Sequence, residues 1–278
     1  MSIVFNAADH SYKSIDSAEG IDWISVTTII SSLKKGFDAK TIAVRVSKNK
    51  RSKWFGIKPK DIEAIWKNES ERATTLGTYY HNQREDDLCS LASMEREGVT
   101  IPVIAPSAES NGIRHALLQK LDSGIYPEHM VYLKSVGICG QSDLVEVVNG
   151  KVNIIDYKTN KEIKTEAYTN WEGVTEKMLD PINHLDDCNF NHYALQLSIY
   201  MYIILKHNPK LKPGRIFIHH ITFEQESEDK WGYPIAKLDN EGNPIVKEVT
   251  PIAVPYLVDE VITIMHYLRD NKNKLKKK

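Results

Sequence analysis

Residues 189–206 carry apolar side chains three and four positions apart: Phe190, Tyr193, Ala194, Leu197, Met201 and Ile204. That spacing predicts a helix, ended by Pro209 and Pro213. From residue 129 the surrounding period is that of strands. Segments 139–148 and 151–157 alternate around Asn149-Gly150, the strongest short hairpin signal. Further strands are expected at 131–136 and 215–223, a ribbon over 231–249 and a last helix over 256–269. The first 125 residues read mainly helical. Segment 21–33 fits either period, 69–96 reads as one long helix, and 105–121 contains another with Ser107 or Ser110 as its cap. Helices followed by a helix-interrupted sheet predict one mixed α/β domain over 1–278. Its parts are a helical portion (1–125), a core (126–223) and a C-terminal ribbon, helix and basic tail (224–278).

Composition excludes several classes. The chain has 278 residues, 41% hydrophobic and 26% charged, with a net charge of -1, so it carries no uniformly basic coat. Cys89, Cys139 and Cys188 form no CxxC pair, which argues against a zinc ribbon or iron–sulfur cluster and fits a reducing compartment. The start has no leader pattern, and no apolar run approaches a membrane span. The reading is an intracellular, cytoplasmic protein. Charge is uneven, however: residues 34–60 hold ten Lys or Arg against one acid, Asp38. Within them Lys48, Lys50, Arg51, Lys53 and Trp54 interleave cations with an aromatic ring. That pattern suits phosphate contact and base stacking as well as it suits a solvated face. The lysines of 272–278 read as a frayed, solubilising tail.

The hairpin allows a geometric argument. A two-residue turn pairs Val148 with Lys151, and the same register sets Asp143 opposite Asp156 with Cβ atoms about 4.5–5.5 Å apart. Lys158 shares their face, and Val145, Val147, Val152 and Ile154 continue it as an apolar strip. Opposed carboxylates destabilise a sheet, so something must offset them. A divalent cation such as Mg²⁺ or Mn²⁺ would, as would a shared proton; a bulge would separate the two. Of five acid-x-Lys triplets, only Asp156-Tyr157-Lys158 ends an apolar strand and has an aspartate opposite.

With Gly140-Gln141-Ser142-Asp143 ahead of Ile154-Ile155-Asp156-Tyr157-Lys158-Thr159, the chain resembles the PD-(D/E)XK nuclease superfamily in its RecB-type exonuclease branch. The branch has an upstream Gly-x-x-x-His, matched by Gly77 and His81, and a downstream Gln-x-x-x-Tyr, matched by Gln196 and Tyr200. Ser25-Val26-Thr27 is similar to a segment of mitochondrial genome maintenance exonucleases and their phage relatives. Ser142 replaces the proline of the family name. The cysteines of iron–sulfur members are missing, and no GxxxxGK[ST] provides for ATP.

The resemblance implies a restriction-endonuclease-like core, a central mixed sheet flanked by helices. It also implies one or two Mg²⁺ or Mn²⁺ ions on His81, Asp143, Asp156 and the Tyr157 carbonyl, with Glu128 as a further acid near the metal. Lys158 would orient or deprotonate the attacking water and stabilise phosphate charge. Gln196 would bond the active-site backbone or a phosphate, and Tyr200 would pack beneath. The expected activity is exonucleolytic hydrolysis of DNA, single-stranded or with free ends, in replication, recombination or repair. A separate helicase or recombinase partner and a phage or bacterial origin are compatible with it. A structure-specific endonuclease and a non-catalytic nucleic-acid-binding component are the alternatives.

Overall fold

The computed structural model describes residues 3–6, 11–15 and 20–275. The first part of the chain runs β1 (Ile3–Asn6), β2 (Ser11–Ser14), β3 (Ile24–Ser25), α1 (Val26–Ser32), α2 (Ala39–Lys48), α3 (Pro59–Cys89), β4 (Ser93–Arg96), β5 (Val99–Pro102) and β6 (Ile113–His115). The core follows as β7 (Gly124–Leu133), β8 (Ile138–Val148), β9 (Lys151–Lys158), α4 (Asn189–His207) and β10 (Lys212–Phe223). The chain closes with β11 (Gln225–Glu228), β12 (Pro234–Ala236), β13 (Val246–Ala253) and α5 (Val258–Leu275). Of the lysine-rich end, 276–278 lie outside the described residues, and 272–275 continue α5.

The central sheet is mixed, in the order β13-β10-β9-β8, with β7 and β3 also on β8. β8 pairs antiparallel with β7 and β9, whereas β9 and β10 run parallel, joined by the α4 crossover. Alternation sends successive side chains to opposite layers. Val145, Val147, Val152 and Ile154 pack with α1, α4 and α5 on one face. Leu144, Val148, Ile155 and Tyr157 pack with Tyr80 and Leu88 of α3 on the other. No helix among the described residues is long and apolar enough to cross a membrane.

Three expectations change. The long helix starts earlier and stops sooner than 69–96. Pro59 sits at its first turn, where a missing N–H costs nothing. Glu97 (φ 51°) and Gly98 (φ 75°) turn β4 back onto β5. The helix expected within 105–121 does not form. Asn111 (φ 52°) and Gly112 (φ 74°) make a tight turn between the bridged Ser110 and Ile113, and Ser107 Oγ bonds the His115 backbone rather than capping a helix. The N-terminal portion is therefore part strand: β1 lies between β2 and β6 in a separate three-stranded sheet.

Candidate active site and metal centre

The β8/β9 register predicted from Asn149-Gly150 runs from Val148↔Lys151 to Leu144↔Ile155 and then stops. Beyond it β9 stays with β10 as far as Lys158↔His220 but leaves β8. β7 fills the other edge of β8, so β3 takes the edge that β9 gives up, at Ile138 and Cys139. A fork opens between them. Asp143 and Asp156 stand at its root, and the separation relieves the repulsion that a continued ladder would impose. In place of a ladder bond, Asp143 Oδ2 accepts the Tyr157 N–H at 2.7 Å.

Both helical layers reach into this fork. From α3, His81 Nε2 lies 3.1 Å from the Tyr157 carbonyl. A carbonyl only accepts, so Nε2 is the donor there, and Nδ1 is the nitrogen turned toward the neighbouring carboxylates. Nδ1 lies 3.6 Å from Asp143 Oδ2 and 4.0 Å from Glu128 Oε1. Glu128 follows Pro127, the partner of Leu144, and precedes His129, the partner of Ser142, which sets it beside Asp143. Its φ of 47° is the left-handed region that a glutamate seldom adopts. Gln141 Nε2 donates to its Oε2 at 2.7 Å. Burial, reinforced by the charge of Asp143, pushes the Glu128 carboxyl well above the usual range.

One donor atom from each of His81, Glu128 and Asp143 lies within 4.8 Å of the others. One imidazole nitrogen and two carboxylate oxygens suit a divalent ion such as Mn²⁺ or Mg²⁺, with Glu128 and Asp143 supplying the charge. Asp156 is set back from this group. It is 1% exposed, and its Oδ2 lies 2.5 Å from Lys158 Nζ. Burial pushes its carboxyl up to about 6, against the pull of Lys158. Burial alone would lower the Lys158 ammonium, but the charges of Asp156 and Asp143 hold it above the ordinary lysine value. The Lys158 Nζ lies 4.9 Å from the Tyr193 ring centroid.

From α4, Gln196 Nε2 donates to the Tyr200 hydroxyl at 3.1 Å. The buried Tyr200 ring packs on Gly140, where an added Cβ would come within 2.6 Å of it. Gly140 is thus required for close approach. Gln196 and Tyr200 also line a 430 Å³ cavity beside the three-residue group.

In the basic segment, Trp54 is not placed for the stacking expected of it. Trp54 is 6% exposed and packs against Trp66 and Trp231, with ring centroids 5.9 and 5.4 Å away. Its ring is committed to a small core with Ala43 and Ile62, and is not presented for stacking on a base. Lys53 donates to the Trp231 carbonyl at 2.7 Å and sits over Trp54 and Tyr233. Lys48, Lys50 and Arg51 are exposed. The sequence pattern assigned no site role to Gln141, which lies within the quoted Gly140–Asp143 motif, or to Tyr193, which counted only as an apolar position of α4; their partners, Glu128 and Lys158, come from other elements.

The model of the PD-(D/E)XK nuclease superfamily matches residues 59–253. The chain belongs to this superfamily. Its members use divalent metal ions, and the match spans the described fork together with His81 of α3 and Gln196 of α4. No curated protein matches the chain. A solved structure titled "Crystal structure of SSO0001" is similar at 14% identity, covering 94% of this chain and 79% of its own, with a TM-score of 0.33.

Proposed function

We propose that this superfamily member is a Mg²⁺- or Mn²⁺-dependent exonuclease acting on single-stranded or end-bearing DNA in replication, recombination or repair. The observation that supports hydrolysis is the convergence of His81, Glu128 and Asp143 within 4.8 Å, in the fork that also holds Lys158. An ion held by these three would supply charge neutralisation at the scissile phosphate and acidify water. Lys158, kept protonated by its acidic neighbours, donates to phosphate oxygen as charge builds there; it is a poor base. Asp156 anchors that ammonium. Gln141 aims Glu128, and the Tyr157 N–H and carbonyl fix Asp143 and His81. Gln196 lines the cavity where substrate polar groups would lie. Exonucleolytic action on ends rests on the motif resemblance.

The test uses linear and circular single-stranded DNA with Mg²⁺ or Mn²⁺. The linear form should be degraded, the circle spared, and EDTA or Asp143→Asn should stop the reaction. Cleavage of the circle would replace this reading with an endonuclease. Undiminished activity in chelator would remove the metal from it.

A further inference from the structure

A second groove, of 580 Å³, adjoins the 430 Å³ cavity at His81 and Asn82, which line both. One wall is α3 and the other is the end of β9 with the residues after it, Lys158, Thr159 and Asn160. We propose that this groove seats the sugar–phosphate backbone of a nucleic-acid strand on one side of the reacting phosphate. The proposal rests on the nuclease reading above and adds where the strand lies.

The wall on α3 is built at helical spacing. Ser70, Thr74, Thr78 and Asn82 recur every four residues, so they form one ridge, about 18 Å long at 1.5 Å per residue. Between them Ala73 and Gly77 keep the floor low. At Gly77 the helix approaches so closely that an added Cβ would lie 3.2 Å from Thr159 Oγ1. Hydroxyl and amide groups meet phosphate and sugar without reading sequence; the Thr74 hydroxyl donates to the Ser70 carbonyl at 2.9 Å, so the donors on this ridge are Ser70, Thr78 and Asn82.

Charge distinguishes the groove from the cavity. Among the described residues no carboxylate lines the groove, and Lys158 is its one ammonium. The 430 Å³ cavity is lined by Glu85, Glu109, Glu128 and Asp143, with Arg114 held 2.8 Å from Glu85. A polyanion is repelled by uncompensated carboxylates and is not repelled in the groove. With a single ammonium, the groove contributes little counterion release, so its hold on a strand comes mainly from shape and hydrogen bonds.

The experiment is fluorescence anisotropy of a labelled twelve-residue oligothymidylate with the full chain in EDTA, alongside cleavage of the same strand with Mn²⁺. Thr74→Glu/Thr78→Glu should raise Kd about tenfold or more. Thr74→Lys/Thr78→Lys should tighten binding and steepen the log-affinity against log-salt slope by about 0.7 per added contact. A charge-matched control, Tyr168→Glu/Val174→Glu on an exposed loop, should leave Kd near wild type. Thermal melts establish that each variant folds. The inference is overturned if the Thr74/Thr78 acids weaken binding no more than the control, or if the lysines weaken it as much as the acids. A wild-type chain that binds the strand with the expected charge dependence, yet never cleaves DNA, would sink the nuclease reading and leave the groove standing.

Discussion

Lys158 Nζ sits 2.5 Å from Asp156 Oδ2 and 4.9 Å from the centroid of the Tyr193 ring, so a cation bounded by a buried carboxylate and an aromatic face is held at the mouth of the β8/β9 fork. Both partners favour the charged amine, and a charge held in place before reaction needs no reorganisation during it.

Replacing that amine should therefore cost rate far more than affinity. For Lys158→Met we expect kcat to fall about 10²–10³-fold, the usual effect of removing one preorganised donor to developing charge. Kd for an oligonucleotide in EDTA should change only severalfold, because one phosphate contact is a small part of binding. Single-turnover cleavage and anisotropy on the same variant separate the two. Parallel losses would make Lys158 an ordinary phosphate contact.

Gly140 and Tyr200 make the second case. Gly140→Ala puts a methyl group 2.6 Å from the buried Tyr200 ring, so the ring or the strand must shift. Overpacking of this kind costs about 1–3 kcal/mol. Urea denaturation should report a loss in that range. The loss should shrink in the background of Tyr200→Leu, because two residues in contact are not additive. Equal losses in both backgrounds would place the cost elsewhere.

Asp229 closes the turn that carries Trp231 and Tyr233, accepting their N–H groups at 2.8 and 2.9 Å. The Tyr233 and Trp231 hydrogen bonds hold its carboxyl below the usual range. A native carboxyl depressed below its unfolded value, about 3.9, stabilises above that value, and the contribution is lost as pH falls through the native pKa. Asp229→Ala should lower Tm at pH 7, and the gap from wild type should close as the pH is taken well below 3.9. A gap that persists in acid would mean that the turn does not depend on this charge.

The β8/β9 register was legible in the sequence because it is local. Asn149-Gly150 sets the turn, period-two alternation sets the faces, and each ladder bond extends the last. α4 was legible from apolar positions three and four apart, although the helix is buried beyond that stripe, at Leu195, Ile199 and Ile203 as well. Asn111-Gly112 carried a turn signal of the same type as Asn149-Gly150, yet the segment was read as helix, because the strand that β6 joins, β1, is far away in the chain. Where β9 leaves β8 was decided by packing: β10 keeps Asp156, Tyr157 and Lys158 while β3 occupies the far end of β8. The left-handed Glu128 and the approach of His81 from the opposite helical layer belong to the same tertiary arrangement. So does the burial of Trp54, whose surroundings in sequence are basic but whose neighbours in space are Trp66 and Trp231. Periodicity along a chain encodes which face is apolar. What covers that face, and where two strands part, depends on surfaces brought together from distant parts of the chain, and a local pattern does not carry that information.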